Sequence, residues 1–108
     1  MSRDDVLLVR TNLPDQASAE RLATALVESR AAACINILAE CRSVYRWKEK
    51  VESALEVPLL IKSTRAAYPR LQEEIRALHP YELPEIIAIS LDAGLPAYLQ
   101  WVADETLP

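Results

Sequence analysis

Ser43-Val44-Tyr45-Arg46-Trp47-Lys48 is followed, across Lys48-Glu49-Lys50, by a strand-like region that opens at Val51 and runs to Lys62. The first run carries β-formers at every second position, which predicts a strand. The second is strongest at Leu59-Leu60-Ile61. Two such runs on either side of a short polar turn predict a long antiparallel hairpin. The turn has no glycine, so its type stays open. Pro58 cannot donate to a ladder, which predicts a bulge or a place beyond the central part of the hairpin.

Outward from the hairpin the pattern repeats on both sides. Upstream, Cys34-Ile35-Asn36-Ile37-Leu38 reads as strand. Before it, Ala19, Leu22, Ala23, Leu26 and Val27 have helical spacing, with Asp15 as the cap. Val6-Leu7-Leu8-Val9 is an apolar run short enough for a buried strand. Downstream, Thr64 is a second candidate cap, and Tyr68, Leu71, Ile75 and Leu78 mark one helix face. Ile86 to Leu91 is a final strand. Asp92-Ala93-Gly94 is a turn, and Pro96 opens a short C-terminal helix carrying Tyr98, Leu99, Trp101 and Val102.

The order is β-α-β-β-α-β plus a terminal helix. This predicts an α+β, ferredoxin-like fold with a long hairpin between its second and third strands. The first and third strands would be central, and both helices would cover one face and leave the other open. One domain spans 1–108. Half of the residues are hydrophobic (51%), enough for one core.

Composition excludes several classes. Gly94 is the only glycine, so no phosphate-cradling loop can exist. The net charge is −4 and the basic residues are scattered, which argues against nucleic acid. No apolar stretch approaches membrane-spanning length. Met1-Ser2-Arg3-Asp4-Asp5 puts acids before the first apolar run, unlike a signal peptide, which predicts a cytoplasmic protein. Cys34 and Cys41 are too few for a disulfide framework.

Most of the chemistry lies in His79-Pro80-Tyr81-Glu82-Leu83-Pro84-Glu85. Each proline pushes its predecessor out of the helical region, so a helix ends near Leu78 and a stiff extended segment follows. The segment holds the only histidine, a phenol and carboxylates. It is equally readable as a plain helix stop and strand entry. His79 could be a ligand, a base, a switch or a hydrogen-bonded helix end. Glu82 could anchor His79, pair with a basic residue across a subunit boundary, or bind a cation. The sequence places no second base beside a nucleophile, so an acid–base enzyme using His79 and Glu82 is the weaker alternative and no enzyme is expected.

Tyr45 and Trp47 are two apart on a strand and share a face. They would pack a subunit interface or wall a cleft. Lys62 and Thr64, at the end of the third strand and the start of the next helix, could meet an anion there. With Tyr81 and Glu82, such a cleft would suit a small polar or anionic ligand. About fifteen residues of helix, some 20 Å at 1.5 Å per residue, separate Lys62 from His79, so one pocket holding both needs two chains.

Ala32-Ala33-Cys34-Ile35-Asn36-Ile37, Ser43-Val44-Tyr45-Arg46-Trp47, Leu60-Ile61-Lys62-Ser63-Thr64, the His79–Ile87 segment and Tyr98-Leu99-Gln100-Trp101 occur in this order. Together they resemble the CutA divalent-cation tolerance proteins, from Val6 to about Val102. The resemblance implies a compact homotrimer whose long hairpins reach neighbouring subunits. Three copies at −4 each would help solubility. It implies a role in divalent metal, particularly copper, tolerance or response, with small-ligand sensing in inter-subunit clefts. A purely structural or partner-binding trimer is the alternative. Cys34 and His79 match positions proposed to bind copper in relatives, where a cysteine ending the first strand is the third ligand. Thr11 stands there in this chain, so weak binding of copper or another divalent metal is expected, and no cofactor is required. By default Cys34 is a small buried apolar residue. No role follows for Cys41.

Overall fold

The computed structural model describes residues 5–108; Met1 to Asp4, read above as unlike a leader, lie outside them. The elements run β1 (Val6–Leu13), α1 (Gln16–Glu28), β2 (Cys34–Ile37), β3 (Cys41–Trp47), β4 (Lys50–Thr64), α2 (Tyr68–Leu78), β5 (Ile87–Ser90) and α3 (Pro96–Glu105). This is an α+β chain with an antiparallel sheet in the order β2-β4-β1-β5. β1 and β4 are central, and β2 and β5 are edges.

β4 organises everything. Its 15 residues span the length of the molecule. Val57 to Thr64 pairs with β1, and Leu59 to Lys62 also pairs with β2. Lys50 to Glu56 pairs only with β3 and forms a projecting two-stranded arm. The second strand of the sequence reading is therefore two strands, and the register shows why. Ile37 faces Leu59, whereas Cys41 faces Glu56. Leu38-Ala39-Glu40 thus opposes only Val57 and Pro58, one residue too many, which makes a β-bulge. Pro58 sits opposite Asn12, and its carbonyl accepts Leu38 N–H at 2.9 Å. In a strand the nitrogen of a residue points to the same side as its carbonyl. The missing donor of Pro58 therefore faces the interruption, where no regular ladder exists.

The arm ends in a two-residue turn. Trp47 pairs with Lys50, and Lys48 and Glu49 have φ of 48° and 69°. Both are left-handed, which makes the turn type I′, adopted here without glycine. Lys48 Nζ lies 5.5 Å from the centre of the Trp47 ring.

The main core lies between the sheet and α1 and α2. Leu7, Val9 and Leu13 alternate on β1, and Val57, Leu59 and Ile61 on β4. Ala19, Leu22 and Leu26 of α1 and Leu71 and Ile75 of α2 meet them at helical spacing. Val27 and Leu78, expected on these stripes, are exposed. Asp15 caps α1: Oδ1 accepts Ser18 N–H at 2.8 Å, which holds the carboxyl below its ordinary pKa. The expected open face is a correction. α3 covers part of it, where Leu99 and Val102 pack on Val6 and Ala33 in a second cluster.

Candidate functional site

The candidate residues fall into two groups at different levels of the sheet. The first forms around the segment after α2. Pro80 forces His79 into an extended conformation, φ −77° and ψ 137°, and this ends the helix. The ring turns inward and is only 8% exposed. Nε2 lies 2.7 Å from the carbonyl oxygen of Asn12, and Nδ1 accepts Tyr81 N–H at 3.1 Å. A carbonyl only accepts, so this network assigns the proton to Nε2 of a neutral ring. Burial lowers the His79 pKa, opposed by the Asn12 carbonyl and by Glu56. Both ring nitrogens are engaged.

Tyr81 packs on that ring, centroids 4.8 Å apart, and its hydroxyl donates to Glu56 Oε2 at 2.8 Å. Burial and this carboxylate push the Tyr81 phenol far above its ordinary pKa. Glu56 is 8% exposed. Asn12 Nδ2 donates to Glu85 Oε1 at 3.1 Å, and Arg10 Nε lies 3.6 Å from Glu85 Oε2. A continuous network thus runs Glu56–Tyr81–His79–Asn12–Glu85–Arg10. Asn12 Oδ1, Arg10 Nε and Thr11 Oγ1 are buried without a hydrogen-bond partner. Glu82 is exposed on the same segment.

Sequence reasoning missed Glu56, Asn12 and Arg10, and gave no role to Glu85, which it quoted in the segment. The available signal was Glu56 itself, a carboxylate set between Leu55 and Val57 in an otherwise apolar run.

The second group lies on the face that α3 approaches. Cys34 pairs directly with Lys62 across β2 and β4. Lys62 Nζ lies 3.9 Å from Cys34 Sγ and also donates to Asn36 Oδ1. Burial, with Cys34 nearby, raises the Tyr98 pKa. Tyr98 packs on Trp101, centroids 5.6 Å apart.

The two groups do not meet within one chain. Lys62 pairs with Leu8, and Pro58 with Asn12, beside His79. These levels are four residues, about 13 Å, apart at roughly 3.3 Å per residue. Cys34 and His79 therefore sit in separate places. Thr11 faces the α1–α2 core opposite Leu59, three residues from the level of Cys34 and so on the other face of the sheet. Among the described residues no three His, Cys, Asp or Glu side chains are grouped to hold a metal. Tyr45 and Trp47 share a face of the arm with Cys41, opposite Glu52 and Lys50. Thr64 is buried and does not cap α2 as expected: its Oγ1 accepts Ala67 N–H at 3.1 Å in the turn ahead of the helix, whose N-cap is Ala67 with no side-chain bond. Cys41 lies 3.9 Å from Ser43 Oγ. No helix among the described residues is long and apolar enough to cross a membrane.

The chain is similar to known proteins over nearly its whole length. The divalent-cation tolerance protein CutA of Thermus thermophilus is 42% identical over 95% of this chain and 98% of its own. Mouse protein CutA is 42% identical over 86% of this chain, which spans about half (52%) of that longer relative. The crystal structure of CutA from Xylella fastidiosa superposes with a TM-score of 0.92 at 42% identity, covering 94% of this chain and 98% of that one. The family profile described as CutA1 divalent ion tolerance protein matches residues 7–105, and the chain belongs to that family.

Proposed function

We propose that this chain is a ferredoxin-like subunit of a cytoplasmic homotrimer that serves divalent metal tolerance without enzymatic chemistry. Copper or another divalent ion binds it weakly, and small polar ligands enter clefts between subunits. The observation that carries this reading is the arm. Val44 and Val51 are 69% and 68% exposed on it, and Leu55 is exposed beside them. At the other end of the sheet β5 pairs only with β1, and its Ile87 and Ile89 are exposed. A lone chain with a projecting apolar arm and a bare apolar edge strand is prone to association, and a closed ring of three copies satisfies both surfaces.

The cleft then takes shape at the boundary. Tyr45, Trp47, Tyr81 and Glu82 lie on the arm and the post-α2 segment of one subunit. Lys62, with Cys34, belongs to a different level, and a neighbouring chain brings it to the same cleft. The alternative of an acid–base pair is disfavoured by the His79 ring, whose nitrogens both face the backbone. Light scattering at micromolar concentration tests the assembly. A mass of three chains is expected, and a monomer or dimer refutes the reading.

A further inference from the structure

Cys34 and Lys62, assigned above to the cleft, also touch each other. The two residues are direct partners across β2 and β4, with Sγ and Nζ 3.9 Å apart. The ammonium has a neutral amide oxygen, that of Asn36, as its other partner, and no carboxylate among the described residues pairs with it. The Cys34 side chain is half-buried, with Tyr98 in its neighbourhood. Cys41, the other free thiol, has a serine hydroxyl as its neighbour instead.

We propose that Cys34 and Lys62 form a reversible sulfur–nitrogen cross-link when the protein meets hydrogen peroxide. In the first step the Cys34 sulfur attacks one peroxide oxygen. The O–O bond breaks, an S–OH bond forms, and the departing hydroxide takes a proton from the Lys62 ammonium and leaves as water. The thiol proton goes to solvent. This step turns the thiol into a sulfenic acid and leaves the adjacent lysine as a free amine. In the second step that amine nitrogen attacks the sulfenic sulfur. An S–N bond forms, the S–O bond breaks, and the hydroxide leaves with an amine proton as the second water. Sulfur is oxidised by two electrons and one peroxide is reduced to two waters. Condensation of a sulfenic acid with a nitrogen is established chemistry, usually with a backbone amide; here the strand register supplies a side-chain amine instead.

The cross-link joins edge strand β2 to central strand β4 and spares Cys34 from further oxidation. It also removes the thiol from any metal. Both atoms belong to one chain, so the cross-link itself needs no second subunit.

The test uses the full chain in its native assembly, freed of metal by a chelator and treated with hydrogen peroxide. Intact mass and peptide mapping are the readouts. The expected product is two hydrogens lighter than the reduced chain, carries the Cys34 and Lys62 peptides joined, and returns to the starting mass with dithiothreitol. C41S should give the same product, and C34S none. K62R and K62Q, each checked for native circular dichroism, should lose the joined peptide and carry Cys34 on to sulfinic acid. Recovery of wild-type Cys34 as free thiol, sulfinic acid or an intermolecular disulfide, with Lys62 unmodified, overturns the proposal.

Discussion

His79 is held neutral by burial and by two backbone partners of opposite kind, one accepting and one donating. Its folded pKa lies below the ordinary 6.5. Between those two values the unfolded chain binds a proton that the folded chain refuses. The contribution to stability is therefore full above about pH 6.5 and is lost as pH falls through the folded pKa. The melting temperature of the wild type should fall with acidification in that window, and that of His79→Gln should fall less; identical profiles would show that the ring is not linked to folding. The same geometry bears on metal. A divalent ion must take the Nδ1 lone pair from Tyr81 N–H or replace the Nε2 proton facing Asn12. Calorimetric titration with Cu(II) and Zn(II) should thus find micromolar or weaker binding, reduced at least tenfold by His79→Ala. Sub-nanomolar affinity, or no change in the variant, would contradict this. At this scale the sequence showed His79 and Tyr81 plainly, because prolines mark them. It hid Glu56, because a buried carboxylate in a long strand has no local signature and its partner is 25 residues away.

At the scale of elements, periodicity located every helix and strand, and even two separate runs for β2 and β3, but not the bulge that divides them. A bulge is a property of two strands in register, and one strand's pattern does not contain it. The arm's turn was hidden for a related reason. Type I′ geometry is normally announced by Asn-Gly or Asp-Gly, whereas Lys48 and Glu49 are forced into it by the strands they join. Left-handed backbone costs a residue with a Cβ about 1–2 kcal/mol. Glu49→Gly should raise the urea midpoint, by roughly 1 kcal/mol of stability after the glycine's extra unfolded-state entropy is counted. A lower midpoint would mean that the observed turn is not strained.

At the scale of the whole molecule, the architecture was legible and the use of the sheet's second face was not. The apolar residues of α3 gave no hint of which side they would cover, and they close part of a face expected to be free. The separation of Cys34 from His79 was equally invisible, since it depends on which residues of β4 each stands beside. Assembly is where these levels combine. Val44→Lys with Val51→Lys should leave circular dichroism unchanged, because both side chains are exposed in the single chain. If the chain assembles as proposed, it should give smaller species by light scattering. An intact trimer in that variant would remove the arm from the interface. Trp47→Ala should weaken assembly in the same direction.

The bulge opposite Pro58 makes the arm a matter of counting frames. Up to Ile37 the chain pairs with β4 in one frame, and from Cys41 onward it pairs one step out. Deleting one residue between Leu38 and Glu40 would bring the two frames into step and fuse β2 and β3 into a single uninterrupted ladder. Pro58 would then stand where that ladder demands a donor. The spare residue and the proline are therefore a matched pair, each an error without the other. A chain that lost both would fold into a straighter arm, pointing away from the direction that the bulge now sets.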